Sequence, residues 1–191
     1  MDKKETAKER ILRVASDLFY REGIRAVGID RIIAESGVAK ASFYRNFATK
    51  DDLIVAYLDS RESFNTIGLE EAAKRYPDSP IDQLLFLVDD FAARLQAEGF
   101  RGCPFINTIV EFPDEDHPGH RKALESRNER WRKVTDIARQ AGARDPEELT
   151  AQLRMLSSGA TIGAYMLKSA FRTESYVKAA RLLIEHQLTN S

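Results

Sequence analysis

A chain of 191 residues with 43% hydrophobic and 31% charged side chains is long enough for one or two domains and too apolar to be disordered. Its net charge of −1 is unevenly placed: residues 1–50 hold 11 Lys or Arg against 7 Asp or Glu, and the remainder 18 against 23, so the N-terminal part suits an anionic partner. No apolar run spans a bilayer, the start MDKKETAKER lacks the apolar core of a signal peptide, and the single Cys103 excludes an internal disulfide framework, which predicts a cytoplasmic protein with no membrane partner.

Helical punctuation recurs along the chain and nothing reads as strand, so the expected fold is all-α with about nine helices. Thr6 and Glu9 form a capping box ahead of Ile11, Val14, Ala15, Leu18 and Phe19, which share one helical face, and Gly23 supplies the stop. A short helix over 29–36 turns Ile29, Ile32 and Ile33 inward and ends at Gly37. The next runs from about Ala39 to Asn46. Thr49 caps a fourth, with Asp51 and Asp52 in its positively polarised first turn. Ser79 and Pro80 open a helix in which Ile81, Leu84, Leu85, Val88, Phe91, Ala92 and Leu95 keep helical spacing up to Gly99. Cys103 and Pro104 begin another, ending near Pro113. Pro118 opens a long one through Trp131, Val134 and Ile137 to Gly142. Asp145, Pro146 and Glu148 cap the next, which runs to about Phe171. Thr173 or Ser175 begins the last, carrying Val177, Leu182, Leu183 and Leu188.

The stretch GVAKASFYRNFATKDDL, residues 37–53, threads two phenylalanines through basic and hydroxyl side chains. Two short helices joined at a glycine, the second polar and basic on its outer face, make a helix-turn-helix pattern. Phosphate oxygens accept hydrogen bonds from Lys40, Ser42, Tyr44 and Lys50, while Ala39 and Ala41 leave room for close approach. Arg45 and Asn46 can reach base edges or flanking phosphates, Arg suiting guanine and Asn adenine in a major groove. Phe43 and Phe47 are read as core anchors that fix the helix's orientation. The residues therefore point to double-stranded DNA. A small three-helix bundle with an incidentally basic surface is the other reading.

Residues 10–54, RILRVASDLFYREGIRAVGIDRIIAESGVAKASFYRNFATKDDLI, resemble the TetR family of bacterial repressors. The likeness lies in the A-x-x-L-F-x-x-x-G close of the first helix, the I-x-x-x-x-G-V turn and the S-F-Y-x-x-F-x-x-K-x-x-L run. It implies that Lys40, Ser42, Tyr44, Arg45 and Asn46 lie on a recognition helix and that Lys50 clamps a phosphate. Gly28, Ala39 and Ala41 stand where the family usually has Ser or Thr, Ser, and Gly. The implied organisation is a DNA-binding head, residues 1–50, and a helical effector-binding and dimerisation body, residues 51–191. The boundary is expected around 47–60.

The resemblance further implies a homodimer joined through its last two helices. MLSSGATIGAYML, residues 155–167, supports this with small residues that permit close helix approach and apolar residues on several faces. The expected interface residues are Leu156, Gly159, Ala160, Gly163, Ala164, Leu167 and Leu183. Two heads related by a two-fold axis would read half-sites roughly 34–36 Å apart or somewhat more. The body is expected to hold a small-molecule effector whose candidate contacts are Phe64, Phe86, Phe105, Asn107, Ile109, Phe112, Trp131, Tyr165 and Met166; plain core packing is the alternative for each. Glu111, one turn after Asn107, is a further polar candidate. Cys103 at a helix start raises a thiol-based redox sensor as an alternative, and an architectural DNA-binding protein without effector is another. In DEDHPGH, residues 114–120, His117 and His120 sit beside Asp114, Glu115 and Asp116, but Pro118 and Gly119 suggest a loop and the acids suit a helix start, so no metal site is expected. No G-x-S-x-G, H-E-x-x-H or phosphate-binding glycine loop occurs, so neither an enzyme nor a cofactor is expected.

Overall fold

The computed structural model describes residues 5–188, apart from the side chains of residues 63–65. Among the described residues there are nine α-helices and no strand: α1 (Ala7–Glu22), α2 (Ile29–Ser36), α3 (Lys40–Asn46), α4 (Lys50–Arg75), α5 (Pro80–Leu95), α6 (Pro104–Glu111), α7 (Pro118–Gln140), α8 (Pro146–Leu167) and α9 (Thr173–Leu188). No described helix is long and apolar enough to cross a membrane.

Local chemistry sets most of these boundaries. The Thr6 hydroxyl accepts from the Glu9 N–H at 3.2 Å while the Glu9 carboxylate accepts from the Thr6 N–H at 2.7 Å, so both partners of the capping box are satisfied. Thr49 and Asp52 repeat the device at the start of α4. Asp145 accepts from the Glu148 N–H at 2.9 Å ahead of Pro146 in α8. Gly37 closes α2 in the left-handed region, φ 63°, a conformation that disfavours a Cβ. α8 stops at Leu167, short of the expected Phe171, and a 3₁₀ turn over Lys168–Ala170 follows. The reason is packing: a Cβ on Gly163 would lie 2.7 Å from the Phe171 ring, so the chain folds back to seat that ring against the glycine.

The chain packs as two units, Met1–Glu62 with Cys103–Ser126, and Ser63–Gly102 with Arg127–Ser191. The first has a core of Ile11, Leu18, Phe19, Ile32, Phe43, Phe47, Leu53, Tyr57 and their neighbours, completed by Phe105 from α6 and Ala123 from α7. Polar struts brace it. Arg31 of α2 pairs with Glu22 of α1 at 2.5 Å, Arg61 of α4 donates to the Ser16 carbonyl at 3.1 Å, and Lys122 of α7 meets Asp59 and Glu62 at 2.6 and 3.1 Å. The second unit's core runs through Leu84, Leu87, Val88, Val134, Leu149, Leu153, Ala160, Ala164, Tyr176 and Ile184.

Ala160 and Ala164 are thus interior residues of their own unit, and Gly163 is occupied by Phe171. Leu156 and Leu183 are half-buried against the same core. Ala160, Gly163 and Ala164 serve intrachain packing, a use that residue spacing alone does not separate from packing against a second chain. Of the expected interface residues, Gly159 and Leu167 are exposed. They share the surface with Met155, Ile162 and Met166, of which Met155 and Met166 are 67% and 71% exposed.

Candidate nucleic-acid interface

Helix α3 is seven residues long and is anchored from one side. Phe43 is fully buried and Phe47 is 3% exposed; their ring centroids lie 6.2 Å apart. Burying two phenylalanines four residues apart fixes which face of a short helix meets the core. The opposite face therefore points outward and carries Lys40, Ala41, Tyr44 and Arg45, all exposed. Tyr44 packs its ring edge-on against Phe43 at 5.3 Å while remaining 45% exposed, so its hydroxyl end is held at the surface on a rigid base. Ser42 is half-buried. Asn46 turns its amide back to the Ser42 carbonyl at 2.7 Å, which ends α3 but occupies a side chain expected at base edges. Lys40 makes a loose 3.5 Å pair with Asp30 in which both side chains are exposed.

Lys50 departs most from its expected role. Its side chain is half-buried, its ammonium donates to the Ile24 carbonyl at 2.7 Å, and it lies 5.9 Å from the centre of the Phe19 ring. Burial pushes its pKa below the usual lysine value, with Glu111 and Asp51 acting in the opposite direction. Lys50 is first a strut beneath the turn between α1 and α2. That turn is pinned from α6 as well: the Glu111 carboxylate accepts from the Arg25 N–H at 2.8 Å, and the Arg25 guanidinium lies 5.3 Å from the Phe112 ring centre. Glu111 is therefore committed to the backbone of the head. No spacing in the sequence signals this contact between residues 86 apart.

The helix starts at this face lack side-chain caps. Gly28 precedes α2 and Ala39 precedes α3, both with extended backbone and neither making a side-chain cap bond. A serine at 39, where φ is −67° and ψ 144°, can accept from a backbone N–H of the first turn. We expect Ala39→Ser to stabilise the protein by about 1 kcal/mol, raising Tm by roughly 2–4 °C in a calorimetric scan.

The other predicted site residues fall in both units. Phe105, Asn107, Ile109 and Phe112 belong to the first, where Phe105 is fully buried core and Ile109 and Phe112 pack against it. Phe112 also stacks on His117 at 4.1 Å, and His117 faces Asp51 at 3.4 Å. Phe86, Trp131, Tyr165 and Met166 belong to the second unit. There Phe86 packs against Tyr76 and under the Arg75 guanidinium, Tyr165 accepts from Arg101 at 2.6 Å, and Met166 is a surface residue. Phe64 lies outside the described side chains. Cys103 is the half-buried N-cap of α6.

Comparison with known proteins agrees with this architecture. Residues 11–57 match the family model for bacterial regulatory proteins of the tetR family, and residues 80–183 match the tetracyclin repressor-like C-terminal domain. A TetR-family transcriptional regulator from Streptomyces coelicolor, SCO4454, superimposes with a TM-score of 0.90 at 33% identity over 96% of each chain. An HTH-type transcriptional regulator in the lacX 3′ region of Lactococcus lactis subsp. lactis is 29% identical over 62% of this chain and 60% of its own length. The regulator AcuR of Cereibacter sphaeroides is 27% identical over 72% of this chain and 63% of its own length. The matched stretch therefore spans somewhat less than two thirds of these two curated relatives. With a buried pair of phenylalanines presenting a polar helix outward, and with both parts of the chain matched, this protein belongs to the TetR family of bacterial DNA-binding transcriptional regulators.

Proposed function

We propose that the protein is a ligand-responsive repressor that binds a palindromic operator as a homodimer and is released by a small-molecule effector. The observation that carries DNA recognition is the outward ridge of Lys40, Ala41, Tyr44 and Arg45 on a helix anchored by Phe43 and Phe47. In this reading Lys40, Ser42 and Tyr44 take phosphates, Arg45 takes a base edge, and Ala41 allows close approach. Lys50 holds Ile24 with one of its three N–H bonds and has the others for a phosphate. Gly28 and Ala39 leave the starts of α2 and α3 open to phosphate oxygens.

A seven-residue helix reads too few base pairs to find one site in a genome, so two copies are needed. The exposed stripe Met155, Gly159, Ile162, Met166 recurs every three or four residues along α8 and suits a second copy of itself. Leu167 and Leu182 add exposed apolar surface. We expect Ile162→Glu to convert the dimer to monomers in sedimentation and to weaken operator binding at least tenfold with the monomer's fold intact by circular dichroism. An unchanged dimer places the interface elsewhere.

Repression follows from a dimer occupying promoter DNA and excluding polymerase; release follows if the effector prefers a dimer whose heads are wrongly spaced. The test is selection of bound sequences from random duplexes. An enriched inverted repeat with half-site centres about one helical turn or more apart supports the reading. Binding without sequence preference sinks it and leaves an architectural protein.

A further inference from the structure

We propose that Asp30, in the first turn of α2, is a specificity-determining residue that accepts a hydrogen bond from a cytosine amino group in the major groove. This rests on the reading of the α3 ridge as the surface that meets DNA. Asp30 belongs to an eight-residue helix whose inward face is Ile29, Ile32 and Ile33, with Ile32 fully buried. Its carboxylate therefore points away from the core. One carboxylate oxygen, Oδ1, lies 3.5 Å from the ammonium of Lys40, which is part of the outward ridge of α3. An acid thus stands beside the basic ridge, where a polyanion is expected to dock.

Intrachain structure does not account for that acid. The other exposed carboxylates among residues 5–52 are committed. Glu5, Asp17, Glu22 and Glu35 meet arginines at 2.9, 2.6, 2.5 and 2.7 Å, and Glu9 and Asp52 complete helix caps. The four arginine-paired side chains are 38–60% exposed, whereas those of Asp30 and Lys40 are 89% and 66% exposed. So open a pair contributes little to folding.

Phosphates repel a carboxylate on a DNA-facing surface, which costs affinity for every duplex unless a base edge offers a donor. In the major groove, cytosine N4 and adenine N6 are the donors. An aspartate suits cytosine, because adenine sets its own N7 acceptor beside the amine. Thymine O4 and guanine O6 and N7 are acceptors, and a carboxylate rejects them. Lys40 makes the acid tolerable at this surface. One of its three N–H bonds faces Asp30, and the others remain for a phosphate. Asp30 therefore exchanges general affinity for discrimination.

Selection of bound sequences from random duplexes by the full-length protein tests this. Wild type, Asp30→Asn, Asp30→Glu, Arg45→Ala and Asp136→Asn would be compared. Asp136 is an exposed acid of α7 paired with Arg139 at 2.7 Å, so its variant controls for the change in net charge. Wild type and this control should enrich a cytosine at one fixed position of each half-site. Asp30→Asn should lose that preference in favour of adenine, which suits an asparagine, and should bind random duplexes more tightly than wild type. Asp30→Glu keeps the carboxylate and should retain cytosine. Exchanging that cytosine for thymine should weaken wild type about 5- to 150-fold, the usual effect of one mismatched pair, and Asp30→Asn far less. A role confined to the helix dipole of α2 would lower the Tm of Asp30→Asn and leave its sequence preference unchanged, and that result overturns the proposal. Tighter binding of Asp30→Asn to all duplexes alike overturns it too, since the carboxylate then only repels phosphates. A preference that changes in Arg45→Ala but not in Asp30→Asn ends the cytosine contact and keeps the α3 interface. Preferences that change in neither end both.

Discussion

Phe43→Ala is expected to abolish binding to operator and random DNA alike and to lower stability by about 3–5 kcal/mol, the range for emptying a fully buried aromatic site. Phe43 has no exposed surface and packs against Phe47 and Tyr44 within the first unit's core. Its ring is the base on which a seven-residue helix is oriented; such a helix is too short to persist without tertiary packing. A loss of this size is a large share of the 5–15 kcal/mol that holds a typical domain folded. Urea unfolding followed by helical ellipticity measures the stability loss, and anisotropy of labelled duplexes measures binding. Phe43→Leu, which keeps most of the volume, should lose about 1 kcal/mol and retain DNA binding. Full DNA affinity in Phe43→Ala would show that α3 is seated by something other than this ring.

Arg45→Ala is expected to weaken the operator complex about 5- to 150-fold, from the 1–3 kcal/mol typical of a bidentate base contact, and to relax preference at one position of each half-site. Random DNA should be affected far less. Lys40→Ala should act differently. Its exposed ammonium, loosely paired with Asp30 at 3.5 Å, is assigned to a phosphate, so its removal should weaken all duplexes similarly and flatten the salt dependence by about one unit of slope. Titrations of both variants over a range of salt, on operator and scrambled duplexes, separate the two roles. If Arg45→Ala changes neither affinity nor preference, Arg45 does not face the bases. Lys50→Ala would be less informative, because it removes the strut under Ile24 together with any phosphate contact.

The helical boundaries were legible because caps and stops act over three or four residues. Thr6 and Glu9, Thr49 and Asp52, Asp145 and Glu148 all make the bonds their spacing implies. The outward face of α3 was legible for a related reason: on a short helix, placing Phe43 and Phe47 inward determines where Lys40, Tyr44 and Arg45 must point. Asn46 and Lys50 were less legible. Both side chains are long enough to reach either DNA or their own backbone, and in this structure Asn46 reaches Ser42 and Lys50 reaches Ile24.

Sequence alone thus determined the all-helical fold, the helix-turn-helix and its outward ridge, since each depends on interactions between near neighbours along the chain. Tertiary structure decided the rest. It carries the Glu111 carboxylate to the Arg25 amide, turns Ala160 and Ala164 inward while leaving Met155 and Met166 exposed, and brings the Arg127 guanidinium to the Ser158 hydroxyl. These outcomes depend on how helices far apart in the chain pack together. A small residue, a carboxylate or an arginine has the same local signature whether it ends in a core, at a surface or beside another charge.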